Sequence, residues 1–148
     1  YMCGIAGYYN FEADKQTIDA LFEKLHHRGP DRNGIYQDRN VGLIHTRLSI
    51  IELSELGAQP YHFDNLVLTF NGEIYNYKEI RSELLSLGYT FQSNSDSEVL
   101  IKAFHKWREE AAQRFIGMFA FCIYDKVTKQ LFLFRDRIGV KPLYYYYK

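Results

Sequence analysis

The stretch Met118-Phe119-Ala120-Phe121-Cys122-Ile123-Tyr124 restricts the fold more than any other, because it is apolar or aromatic at every position. A strand sends successive side chains to opposite faces. Met118, Ala120, Cys122 and Tyr124 therefore take one side, and Phe119, Phe121 and Ile123 take the other. Such a strand needs cover on both faces, so its sheet lies inside a stack of layers. Helices with one apolar face supply part of that cover. Ile18, Leu21, Phe22 and Leu25 recur at i, i+3, i+4 and i+7, and Val99, Leu100, Ala103, Phe104 and Trp107 form one face of a longer helix. Two sheets facing each other with helices outside satisfy both patterns, an α+β architecture of four αββα layers with mostly antiparallel strands. With 148 residues, 47% of them hydrophobic and 17% aromatic, residues 1–148 can bury one core as a single domain.

The remaining elements follow in chain order. Ile5 to Tyr9 reads as a strand, with Gly4 and Gly7 marking close backbone approach. The first helix begins near Asp14 or Thr17 and stops at Arg28-Gly29-Pro30-Asp31, because Pro30 cannot continue it. Gly34 to Gln37 and Val41 to His45 form a hairpin around Asp38-Arg39-Asn40. Glu52 to His62 reads as loop, broken by Gly57 and Pro60. Leu66 to Phe70 is a strand predicted to end in a turn at Asn71-Gly72. Asn76-x-x-Glu79 and Ser95-x-x-Glu98 read as capping boxes, and Gly88 as the residue that closes the helix between them. Tyr89 to Gln92 reads as a short strand. Gln130 to Phe134 returns beside Met118 to Tyr124, and Leu143 to Tyr147 begins another strand after a charged loop.

Formal charge is zero, with 18 basic and 18 acidic residues, which argues against nucleic acid and anionic membrane as partners. The two cysteines, Cys3 and Cys122, make no disulfide framework and no metal-ligand spacing. No metal site is expected, and the cytoplasm is the expected setting.

Cys3 stands almost at the amino terminus. With the residues ahead of it removed, it carries a thiol of pKa about 8.5 and an amine of pKa about 8, so the nucleophile has its own base. Alone, such a cysteine reads first as a small apolar residue. Arg47, at a strand end, can clamp a carboxylate with its planar fork, or serve as a surface arginine. Asn71-Gly72 offers an amide donor beside an unhindered backbone N–H, as an oxyanion needs, or a plain hairpin turn. Glu73 and Asp96 can grip an α-ammonium group, or be a solvated carboxylate and a first-turn aspartate. A cationic clamp with anionic clamps describes a zwitterion, hence an amino acid. Cys122 reads as core, and the histidines His26, His27, His45, His62 and His105 form no cluster and need no special role.

Seven blocks in order carry a resemblance: Met2-Cys3-Gly4-Ile5, Arg28-Gly29-Pro30-Asp31, Arg47-Leu48-Ser49-Ile50, Asn71-Gly72-Glu73-Ile74-Tyr75-Asn76, Ser95-Asp96-Ser97-Glu98, Gly117-Met118-Phe119-Ala120-Phe121, and the run from Arg135-Asp136-Arg137 to Lys141-Pro142-Leu143-Tyr144. Together they resemble the class II glutamine amidotransferase domain of glutamine-hydrolysing asparagine synthetases, over the whole chain. The resemblance implies the N-terminal nucleophile hydrolase fold. It implies that Cys3 attacks the side-chain amide of L-glutamine and that its free amine shuttles the proton. Asn71 and Gly72 would hold the oxyanion, and Arg47 the α-carboxylate. Glu73 and Asp96 would hold the α-amino group, and the backbone of Leu48, Ser49, Ile50 and Ile51 would line the pocket. The released ammonia would pass to a synthetase domain, which alone would use ATP and Mg; the amidotransferase domain itself needs no cofactor.

Two departures matter. Tyr1 precedes Met2 and reads as a tag remnant; an amide-bound Cys3 nitrogen is no base, so a chain retaining Tyr1-Met2 is expected to be inactive. It would then be a glutamine-binding or docking module without turnover. The chain also reads as C-terminally truncated, leaving a strand edge near Tyr144 to Tyr147 that suggests a homodimer.

Overall fold

Strand alternation decides the layering. The computed structural model describes residues 3–48 and 57–147. A first sheet is built from β1 (Gly4–Tyr9), β2 (Arg32–Asp38) and β3 (Val41–Arg47) in the order β1-β3-β2. A second contains β4 (Tyr61–Phe63), β5 (Leu66–Ile74), β6 (Gly117–Asp125) and β7 (Gln130–Arg135) in sequence order. Every pairing in both is antiparallel. Along β5, Leu66, Leu68 and Phe70 join Phe119, Phe121 and Ile123 of β6 beneath the helices α2 (Tyr77–Ser86) and α3 (Asp96–Trp107). The intervening Val67 meets Cys122 and Tyr124 of β6 and Val41 and Leu43 of β3 between the two sheets. On the far side of the first sheet, α1 (Lys15–Leu25) packs on β1 and β3. The result is the four-layer αββα sandwich expected from the two-faced strand.

Local chemistry sets the helix ends. The Asp14 carboxylate accepts the Thr17 N–H at 2.8 Å, capping α1. Gly88, at φ +90°, closes α2: its N–H donates to the Leu85 carbonyl, and the Tyr89 N–H donates to that of Leu84. A four-residue helix, α4 (Ala111–Arg114), leads into β6. No helix among the described residues is long and apolar enough to cross a membrane.

Six local expectations are corrected. Asn71-Gly72 is no turn: β5 runs through it to Ile74, with Asn71 opposite Ala120 and Gly72 opposite Phe119. The glycine serves close approach instead, since a Cβ on Gly72 would stand 2.1 Å from the Met118 carbonyl oxygen. Asn76 does not cap α2 with its side chain. Its carboxamide donates to the Arg114 carbonyl and accepts the Ile116 N–H, each at 2.9 Å, tying α2 to the start of β6. The helix α3 is not one-faced, because Ser97 through Phe104 are all buried. Glu98 and Lys102 hide among the apolar residues by pairing with each other at 2.6 Å. Tyr89 to Gln92 is irregular, and Tyr61 and His62 lie in β4, not in loop. Finally, Tyr144 to Tyr147 form no strand and are 80–90% exposed. Strand propensity is a preference for a half-buried sheet surface, and no described strand pairs with this segment.

Candidate active site

In β1, Gly4 pairs with Thr46, so Cys3, one residue earlier, comes to the Arg47 end of β3. The Gly4 N–H donates to Thr46 Oγ1, whose hydroxyl donates to the Leu25 carbonyl, both at 3.2 Å. A Cβ on Gly4 would meet Thr46 Oγ1 at 2.5 Å, so the residue after Cys3 has to be small. The Cys3 sulfur is half-buried and lies against the backbone of Leu48, accepting its N–H at 3.5 Å with the carbonyl oxygen at 4.0 Å. Arg28 Nε donates to the Cys3 carbonyl at 3.4 Å. Among the described residues no imidazole or carboxylate hydrogen-bonds to the sulfur.

The thiol opens on a cleft of about 720 Å³ whose lining includes Cys3, Arg47, Leu48, Asn71, Gly72, Glu73 and Asp96. The described residues singled out from the sequence are thus brought together from β1, β3, β5 and α3. Ser49, Ile50 and Ile51 lie outside the described residues, as do Tyr1 and Met2. Arg47 ends β3 and is buried, and its carbonyl accepts the Asp31 N–H at 3.1 Å. Asn71 is 4% exposed, and its side-chain oxygen has no partner among the described residues. A buried orphan of this kind costs about 1–3 kcal/mol, which a folded chain tolerates most readily where a ligand completes the arrangement.

Asp96 begins α3 and accepts the Ile74 N–H at 3.0 Å, joining the helix to the end of β5. Burial pushes its carboxyl above the ordinary value and the nearby Glu73 charge adds to this, while the Ile74 and Ser97 amides pull the other way. Two carboxylates crowded at one end of a cleft are what an ammonium group would relieve. Among the described residues no group of three His, Cys, Asp or Glu side chains could hold a metal ion.

Sequence reasoning missed other residues here. His45 also lines the cleft, is 2% exposed, and leaves Nε2 unpartnered among the described residues. Burial holds its pKa down to about 4, helped by the Arg47 charge and opposed by a hydrogen bond to the Phe70 backbone, so the ring is neutral. Strand alternation was the available signal, since His45 stands two residues before Arg47 on one face of β3. Gln59 carried no signal. Its carboxamide accepts the Phe70 N–H at 2.6 Å and donates to Ser97 Oγ at 3.4 Å, bridging β5 and α3 at the cleft wall. Lys141 is buried close enough to Arg28 and Glu73 to feel both charges; burial, then Arg28, lowers its pKa, against Glu73 and Asp136.

Known proteins resemble this chain in sequence and in fold. Residues 2–148 match the family model described as a glutamine amidotransferase domain. The chain is 45% identical over 97% of its length to asparagine synthetase [glutamine-hydrolyzing] 1 of Bacillus subtilis, covering 24% of that protein. It is 41% identical over 97% of its length to a probable asparagine synthetase of Dictyostelium discoideum, covering 27% of it. It is 38% identical over 99% of its length to a putative asparagine synthetase of Methanocaldococcus jannaschii, covering 32% of it. It thus spans from 24% to 32% of the length of these relatives. Among solved structures, the glutamine phosphoribosylpyrophosphate amidotransferase of B. subtilis superposes on 85% of this chain and 35% of its own, with a TM-score of 0.65 at 20% identity. That likeness concerns the fold alone.

Proposed function

The chain belongs to the glutamine amidotransferase domain family, and from that premise we propose that it hydrolyses the side-chain amide of L-glutamine through a thioester on Cys3. The observation that carries this reading is the composition of one cleft. It is lined by a thiol, a cation and two carboxylates, as a zwitterion with a reactive side chain requires.

In this mechanism the free α-amine of Cys3 accepts the thiol proton. The thiolate adds to the amide carbonyl carbon, and the oxyanion is held by the Asn71 side-chain N–H and the Gly72 backbone N–H. The amine then returns the proton to nitrogen, the C–N bond breaks and ammonia leaves. Water adds to the thioester with the amine again as base, releasing glutamate and restoring the thiol. Arg47 binds the α-carboxylate, Glu73 and Asp96 bind the α-ammonium group, and the backbone of Leu48 to Ile51 borders the chain of the substrate. That no imidazole or carboxylate among the described residues hydrogen-bonds to the sulfur supports the amine in that role. The ammonia would serve a synthetase segment of a longer protein, where ATP and Mg would activate aspartate for asparagine formation; the names of the relatives support this acceptor. The amidotransferase domain itself uses no cofactor in this reading.

The test is glutamate release by three proteins: the chain beginning at Cys3, the chain retaining Tyr1-Met2, and Cys3→Ala. Turnover is expected only in the first, the others falling by at least about 10³-fold. Turnover with Tyr1-Met2 intact would rule out the amine as base. Glutamine binding without hydrolysis by the chain beginning at Cys3 would make it a binding module.

A further inference from the structure

Asp96 enters the cleft from the first turn of α3, but Glu98, two residues on, faces the interior and is 1% exposed. Its carboxylate accepts the Gln92 N–H at 3.0 and 3.2 Å, the Ser93 N–H at 2.8 Å, the Ser93 hydroxyl at 2.7 Å and Lys102 Nζ at 2.6 Å. Lys102 also donates to the Thr90 carbonyl at 2.6 Å and stands over the Phe63 and Phe91 rings at 4.9 and 4.7 Å. Ser93 Oγ accepts the Ser95 N–H at 3.2 Å, and Ser95 Oγ accepts the Glu98 N–H at 3.3 Å. The segment from Thr90 to Ser95 is thereby gathered onto one buried carboxylate. It delivers Asn94, Ser95 and Asp96 to the cleft wall.

Stability alone does not account for the arrangement. Desolvating a buried ion pair costs about as much as the attraction returns, and apolar residues of similar volume would often serve as well. What one charged centre with several fixed donors adds is a single geometry for the turn. Resting on the glutaminase reading above, we propose that Glu98 is a positioning residue for the ammonium end of the substrate. By fixing the turn before α3 it sets where Asp96 stands, and so how strongly the site prefers an amide carried on an amino acid over the same amide on a chain without the amino group.

The test compares kcat and KM for glutamine and for 4-carbamoylbutanoate, which lacks the α-amino group, using protein with a free Cys3 amine. Glu98→Gln is expected to raise KM for glutamine about 10-fold with kcat little changed, and to leave kcat/KM for the deaminated substrate unaltered. Because Glu98→Gln leaves Lys102 buried and unpaired, the double variant Glu98→Gln/Lys102→Met is measured beside it, and the same loss of preference is expected. Equal losses on both substrates, or no loss on either, would mean that Glu98 acts on the fold alone and overturns the proposal. Asp96→Asn separates the two levels. If it abolishes the preference while both Glu98 variants keep it, the positioning role fails and the ammonium site stands. If Asp96→Asn itself keeps the preference, the ammonium assignment fails and the proposal with it.

Discussion

The two faces of the second sheet are built from the same strands and differ in kind. Toward α2 and α3, β5 and β6 present Leu66, Leu68, Phe70, Phe119, Phe121 and Ile123 to a continuous apolar layer. Its aromatic rings pack on one another, as Phe121 and Phe134 stack with centroids 4.8 Å apart. Toward the first sheet the apolar cluster is small: Val41, Leu43, Val67, Cys122 and Tyr124. Beside it in that layer Thr69, Asn71, His45 and Arg47 are all buried, and two of their polar atoms lack partners among the described residues. One face buries apolar area at about 25 cal/mol per Å². The other leaves His45 Nε2 and Asn71 Oδ1 without partners beside the cleft among the described residues. A sandwich with a shared central sheet can thus keep its stability and its chemistry on opposite sides of the same strands.

Substitutions on the two faces should separate accordingly. The largest effect is expected from Phe121→Ala, which empties a fully buried site on the helix side; it should cost about 3–5 kcal/mol. Urea unfolding would measure this, and KM for glutamine in the remaining folded protein should be unchanged. A matching rise in KM would break the division between the faces. Next is Asn71→Ala on the inter-sheet side. It removes an orphaned acceptor and the proposed oxyanion donor together, so stability should change little while kcat falls about 10²–10³-fold. Loss of stability with kcat preserved would reverse that assignment.

The smallest effect concerns pH. Asp96 has to be ionised to hold an ammonium group, and its folded pKa lies above the ordinary carboxylate value, through burial first and Glu73 second. Binding is therefore lost as pH falls through that raised value. The acid limb of kcat/KM should lie higher than a solvated aspartate would place it. Glu73→Gln removes one of the raising causes and should move the limb to lower pH. An unmoved limb would detach Asp96 from the ammonium site.

Much of this was legible because neighbouring residues in the chain decided it. The two-faced run at Met118 to Tyr124 required cover on both sides whatever lay around it. Asp14 and Gly88 work at helix ends for reasons contained within a few residues. The site residues could be named through blocks of residue types, and the described ones do share one cleft. The misreadings share another cause. Asn71-Gly72 has the chemistry of a turn, yet β6 lies against it so closely that glycine is needed inside the strand. Asn76 had the spacing of a cap, but Arg114 and Ile116 offered it other partners. Glu98 had the spacing of a capping-box partner for Ser95, but its carboxylate turns to Gln92, Ser93 and Lys102 instead.

The sequence by itself determined the layers, the helix ends at Asp14 and Gly88 and the set of chemical groups, since period, capping and residue type are properties of short stretches. Only the tertiary structure decided which polar groups were buried together, that His45 and Gln59 border the cleft, and that Asp96 stands on a turn held from beneath. Those outcomes depend on desolvation and on partners tens of residues away, and neither is written in any local run of the chain.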